Sequence, residues 1–178
     1  NLNGDRTMTS IIKVDTLQKA NGATPTAADL GINTTGTVLQ VVQGTTSTNV
    51  TNNSTTYIDS GLSVNITPLS SSSKILVMAK QKGVRLDPGG ASTLGGSIGL
   101  LRDSTFITKP SPSTGHHALY IDGGNLYGEL ELTFLDSPST TSQITYKTQQ
   151  ATFISGKSFI TQQAGAFTSV IIAMEIAG

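Results

Sequence analysis

The stretch GELELTFL, residues 128–135, alternates without a fault: Leu130, Leu132 and Phe134 fall on one side, Glu129, Glu131 and Thr133 on the other. Period two is the signature of a strand with one buried face, since successive side chains leave a pleated backbone in opposite directions. The same rhythm recurs along nearly the whole chain. SIIKVDTL (10–17) and GTVLQVVQ (36–43) come first, then TYID (56–59) and LSVNIT (62–67) on either side of a short Ser-Gly turn. SKILVMAKQ (73–81), unbroken from Ile75 to Ala79, reads as a central strand. SIGLLRDSTFIT (97–108) reads as a hairpin turning at Asp103-Ser104. HALYI (117–121) leads into the turn DGGN, and SQITYKTQ (142–149) and GKSFIT (156–161) follow. The segments between them are clusters of Gly, Asn, Asp, Pro and Ser, and GTTSTNVTNNSTT (44–56) reads as a polar run. Helical periodicity is confined to TPTAADLG (24–31), where Thr24 is placed to cap, Pro25 to open and Gly31 to stop one turn. Ten or eleven short strands with almost no helix predict an all-β, antiparallel β-sandwich or barrel. Residues 1–35, one strand followed by the small-residue stretch KANGATPTAADLGINTTG, read as an extended arm. Residues 36–178 read as the sandwich head.

The final segment, SVIIAMEIAG (169–178), is apolar on both faces. Val170, Ile172, Met174 and Ile176 share one side, and Ile171, Ala173, Glu175 and Ala177 the other. A strand of this kind has to be covered twice. The pattern predicts Val170, Ile172 and Met174 against the opposing sheet and Ile171 and Ala173 against a second cover.

Composition removes several classes of function. Only 12% of the 178 residues are charged, and the formal net charge is zero, which leaves no electrostatic footprint for nucleic acid or an anionic bilayer. About a quarter of the chain is Ser or Thr, a hydroxyl-rich surface in place of a charged one. There is no Cys, so disulfides and thiolate metal sites are out, and stability has to come from packing and association. No stretch nears the roughly 20 apolar residues of a membrane helix, and the opening NLNGDRTMTS lacks the apolar core of a signal peptide. No cofactor or metal is expected.

Several strings imitate catalytic motifs. ATFISGKS (151–158) spells a loose phosphate-binding loop with Gly156, Lys157 and Ser158, but such a loop needs a helix after it, and FITQQAGAFTSV has β character. GGSIG (95–99) spells a nucleophile elbow around Ser97, yet a strand follows it where an elbow needs a helix. His116 and His117 are the only histidines. As neighbours on an extended segment they point apart, so one ion would need copies of the chain around a symmetry axis. Glu129 and Glu131 form a potential carboxylate pair on a solvated strand face. Five glycosylation-type triplets, at Asn33, Asn49, Asn52, Asn53 and Asn65, are what a chain rich in Asn and Thr produces by chance.

Two regions carry a family likeness. The opening SIIKVDTLQKANGATPTAADLGINTTGTVLQVVQ is similar to the front ends of small tail-fibre-like and virion structural proteins of marine tailed bacteriophages. SSSKILVM, LLRDSTFI, TFLDSPSTTSQITYK and the ending SVIIAMEIAG resemble the C-terminal head domains of that group. The resemblance implies a non-enzymatic virion protein with a jelly-roll-like head, assembled as a homotrimer and displayed at the virion surface after assembly in the host cytoplasm. It makes a neighbouring subunit the second cover of the last strand, with Ile171, Ala173 and Ala177 at the interface. The arm, through Ile11, Ile12, Val14 and Leu17, would attach the protein to other virion proteins by strand addition. The chain lacks the shaft of a long tail fibre, so a short surface appendage with a role in host attachment competes with a capsid-decorating protein. The expected partners are the chain itself, virion proteins and a host-surface glycan or protein, with no nucleic acid and no membrane insertion. The loops LDPGGASTLGG, KPSPSTGHH and DGGN would then face a ligand. A free carbohydrate-binding module is the less favoured reading, because the chain has no Trp, four Tyr and five Phe. A glycan-cleaving enzyme is disfavoured too, its paired carboxylates having no clear counterpart among 11 scattered acidic residues.

Overall fold

The computed structural model describes residues 16–26, 28–30, 35–90, 93–110, 119–122, 124–162 and 166–178. The chain divides into two compact units, residues 1–34 and 35–178.

In the first unit, residues 28–30 form one 3₁₀ turn. Thr26, not Thr24, caps it. Its backbone N–H and hydroxyl both donate to the Asp29 carboxylate (2.7 and 2.6 Å), and the Asp29 N–H returns a bond to Thr26 Oγ1 at 3.3 Å. This reciprocal pairing at spacing three follows the logic of a capping box, with Asp29 in place of the usual Glu. Lys19 adds an ion pair to Asp29. Leu17, assigned to the arm, is 49% exposed. Ile11, Ile12 and Val14 lie outside the described residues.

The second unit holds eleven strands among the described residues: β1 (Val38–Thr46), β2 (Val50–Asn52), β3 (Ile58–Ile66), β4 (Lys74–Asp87), β5 (Thr93–Arg102), β6 (Thr105–Thr108), β7 (Leu119–Asp122), β8 (Leu126–Asp136), β9 (Ile144–Thr152), β10 (Ser158–Thr161) and β11 (Ser169–Ile176). They form two antiparallel sheets. In the six-stranded sheet the long strand β4 lies at the centre. β8 runs along one of its edges, while β11 and then β1 flank the first half of the other edge and β10 and then β2 the second half. The five-stranded sheet runs β3-β9-β5, with β6 and β7 sharing the far edge of β5.

Three departures from the sequence expectations involve glycine. Ser60-Gly61 is not a turn between two strands. Gly61 takes φ +80° and absorbs a register shift between Asp59 and Ser63, so β3 continues through a bulge. β4 likewise runs past Gln81 to Asp87 through a shift at Lys82-Gly83, where Gly83 has φ 58°. The run LDPGGASTLGG is loop only in part, for β5 begins at Thr93. Gly96 sits in that strand because a Cβ there would come within 2.2 Å of the Phe159 ring and 2.7 Å of Leu86. The expected hairpin at Asp103-Ser104 is present, with Asp103 at φ 54°. β2 was hidden in the polar run GTTSTNVTNNSTT.

The sheets enclose two apolar clusters. One gathers Leu62, Val64 and Ile66 with Ile75, Val77, Ala79, Leu100, Ile144, Tyr146, Ile171 and Ala173; the other joins Val84, Leu86, Leu94, Ile98, Leu130 and Phe159. Between them along the strands lies a buried, uncharged polar layer. Gln81 Oε1 accepts from the hydroxyls of Thr148 (3.1 Å) and Ser60 (3.3 Å), and those hydroxyls bond each other. Ser169 Oγ accepts from Gln162 Nε2 at 2.7 Å and from the Lys82 N–H at 2.9 Å. Buried hydroxyls and amides are tolerated when partnered, and these link both sheets at one level.

Candidate functional site

β11 is held between β1 and β4, so the apolar final strand is tied by two ladders. Its orientation is the reverse of the one expected. Ile171 and Ala173 are fully buried and belong to the first apolar cluster. Ala177 carries the ladder onward, its N–H donating to Thr37 O (2.9 Å) and its carbonyl accepting from Gly36 N–H (2.8 Å). Neither Ile171 nor Ala173 is available to a neighbouring subunit. Val170, Ile172, Met174 and Ile176 point out of the sandwich and are only half-buried.

Glu175 explains the reversal. A charge on one face argues that this face is the outer one, yet Glu175 is fully buried. Its carboxylate accepts from the backbone N–H groups of Leu69 (2.7 Å) and Ser70 (3.4 Å) and from Gln40 Nε2 (2.5 Å). Burial pushes this carboxyl up, but the hydrogen bonds from Gln40 and the two backbone groups outweigh it, and the group sits below the usual carboxylate range. The loop after β3 turns back to supply those donors, a signal that no period-two pattern contains.

The outer face of the six-stranded sheet is thereby defined. Opposed residues of antiparallel strands share a face, and the registers set out three rows. The first is Val41, Met174, Leu76, Leu135; the second Gln43, Ile172, Met78, Thr133; the third Thr45, Val170, Lys80, Glu131. The face is thus apolar in its first row and charged by its third. Val41 is 56% exposed and Leu135 49%. A shallow depression of about 230 Å³ lies among Met78, Ile172, Val170, Thr133, Lys80 and Glu131. Contiguous apolar surface of this kind is the sort that interaction faces present.

Glu129 and Glu131 do flank each other on the outer side, and both engage Lys80 Nζ, at 2.7 and 2.8 Å. The contact with Lys80 holds the Glu129 carboxyl below the usual range, and the two carboxylates raise the Lys80 ammonium above its own.

The other tempting residues resolve structurally. Ser97 lies fully buried within β5 with its Oγ 2.8 Å from the Tyr57 hydroxyl, so it occupies a strand and not an elbow. After Gly156-Lys157-Ser158 the chain enters β10, and Lys157 Nζ donates to Gly89 O. The side-chain amide of Asn52 is spent on Thr56 O and Gln150 O, which takes Asn52 out of the glycosylation-type set. His116 and His117 lie outside the described residues, as does much of the loop KPSPSTGHH. Among the described residues no three His, Cys, Asp or Glu side chains are grouped to hold a metal. No described helix is long and apolar enough to cross a membrane.

The fold is that of an antiparallel β-sandwich protein whose six-stranded sheet carries an apolar outer face. The chain matches no protein-family model and no curated protein.

Proposed function

We propose that this chain is a non-enzymatic bacteriophage virion structural protein, a short surface appendage or tail-fibre-like protein with a host-attachment role. In this reading its head self-associates as a homotrimer through the outer face of the six-stranded sheet. The observation that carries the proposal is the row Val41, Met174, Leu76, Leu135, backed by Ile172, Met78 and Val170. Apolar area removed from water contributes roughly 25 cal/mol per Å², and a face four strands wide supplies that area without any residue from the monomer core. The sequence likeness to phage head domains supports the virion setting. The pairing of the first strand of the unit with its last, and sheets built mostly from non-consecutive strands, supports a jelly-roll-like description.

Two measurements test it. Sedimentation and native mass determination of the purified chain should return a trimer at micromolar concentration, and immunogold labelling should find the protein on purified particles. A well-folded monomer that joins particles only through the capsid would favour the decoration reading, in which the same apolar face rests on capsid subunits. Absence from particles would end the virion reading altogether.

A further inference from the structure

The chain has few aromatic side chains, and it does not place all of them inside. Tyr146 and Phe159 are fully buried, whereas Tyr127 is 59% exposed and Phe167 46%. Among the described side chains no other aromatic is exposed to that degree, and these two line one depression of about 350 Å³ with Gly83, Val84, Gly128 and Glu129. Its volume falls at the small end of ligand sites.

Several features indicate a built site. Tyr127 is steadied on its strand by the Arg85 guanidinium, 5.9 Å from the ring centroid, and Arg85 is in turn anchored to Asp87 at 2.7 Å. An exposed ring held in place loses little freedom when something stacks on it. Gly128 lies between Tyr127 and Glu129, and a Cβ there would meet nothing within 4 Å. The Gly128 backbone, with no side chain of its own, lines the depression beside the ring and the carboxylate. The bulge at Lys82-Gly83 shapes the opposite wall. Lys80, which bridges Glu129 and Glu131, separates this depression from the apolar rows of the same sheet.

The chemistry of the lining selects the ligand. Two exposed aromatic rings offer apolar contact, and Glu129, with 45% of its side chain accessible, offers an acceptor at the rim. The surrounding charges cancel: Lys80, Lys82 and Arg85 stand against Asp87, Glu129 and Glu131. A strongly charged ligand has nothing to gain there. A purely apolar plug would desolvate the Glu129–Lys80 pair without replacing its lost water. A neutral pyranose meets every condition, with its C–H face on the rings and its hydroxyls on the carboxylate and the solvent. We infer that the depression between Tyr127 and Phe167 is a binding site for a neutral saccharide.

Its biological sense as a host contact rests on the attachment role proposed above, but its chemistry is testable on the purified chain alone. Saturation-transfer NMR with glucose, galactose, mannose, N-acetylglucosamine and their short oligomers should show contact to the C–H protons of at least one. Tyr127→Ala and Phe167→Ala should each weaken that contact about tenfold or more, and Leu69→Ala, at an exposed residue outside the depression's lining, should leave it intact. Both aromatic variants should keep the parent melting temperature, because the rings are exposed. The inference is overturned if none of these sugars makes contact, if contact survives in both variants, or if only sialylated sugars bind. It is also overturned if an apolar peptide selected on the wild-type chain displaces the sugar and depends on the same two rings. A sugar-binding chain absent from particles would sink the virion reading and keep the site; a particle-borne chain that ignores sugars would do the reverse.

Discussion

At the scale of single residues, the sandwich depends on positions whose side chains are missing or unexpectedly charged. Gly96 is the clearest case. Replacing it with Ala drives a methyl into the Phe159 ring and Leu86, where separations of 2.2 and 2.7 Å leave no room. Gly96→Ala should cost about 3 kcal/mol, a fall of roughly 10 °C in melting temperature, measurable by calorimetry. Glu175 gives a second test with a defined sign. Its folded pKa lies below the ordinary value of 4.5, so its stabilising contribution is complete above 4.5 and disappears as pH falls through the folded value. Glu175→Gln presents an amide N–H₂ where two backbone donors already point, and should lose about 2 kcal/mol near neutral pH. The difference between the two melting curves should shrink as the medium is acidified below 4.5. A gap that widened in acid would show that the ionised carboxylate is not what the Leu69 and Ser70 N–H groups stabilise. Neither residue announces its role in the sequence. Glycine in a strand signals close approach without naming the partner, and the pattern puts Glu175 on a face that needs a second cover without naming the loop at Leu69 and Ser70 that folds over it.

At the scale of elements, periodicity located most strands and misjudged one face. β8 lies as its alternation dictates, with Leu130 buried and Glu129 and Glu131 outside, and β9 buries the alternate residues Ile144, Tyr146 and Thr148. These strands are legible because one face is polar and the other is not. β11 is ambiguous because hydrophobicity alone cannot orient a strand that is apolar on both sides, and the only charge on it pointed the wrong way. The bulges in β3 and β4 were illegible for a related reason: Gly61 and Gly83 supply left-handed backbone that serves a turn and a bulge equally well. The site shares this fate. Tyr127 and Phe167 are 40 residues apart in the chain, and nothing local brings them together. Paired substitutions on β11 test the orientation. Ile171→Lys should prevent folding, since it buries an unpaired ammonium in the main apolar cluster. Ile172→Lys, one residue on, should leave the unit's stability within about 0.5 kcal/mol once dissociated, yet convert the assembly to monomers in sedimentation. If Ile172→Lys keeps the parent mass, the outer face is not the contact between copies.

At the scale of the whole molecule, the chain joins a second unit with two apolar clusters to a first unit whose described portion is held by local bonds. Thr26, Asp29 and Lys19 organise one 3₁₀ turn through contacts ten residues apart or fewer, and Leu17 stays 49% exposed. The described portion of that unit gains little by burial of its own side chains. The second unit closes on itself without it: Gly36 and Thr37 pair with Ala177, which joins the start of β1 to the end of β11. A chain beginning at Thr35 therefore retains every hydrogen bond of that closure. It should melt within a degree or two of the full chain, keep the same number of subunits in sedimentation, and fail to appear on particles when it replaces the full chain during assembly. Retained incorporation would move the attachment function to the head. Unfolding of the truncated chain would make residues 1–34 part of the head's core and remove the reason for assigning them to docking.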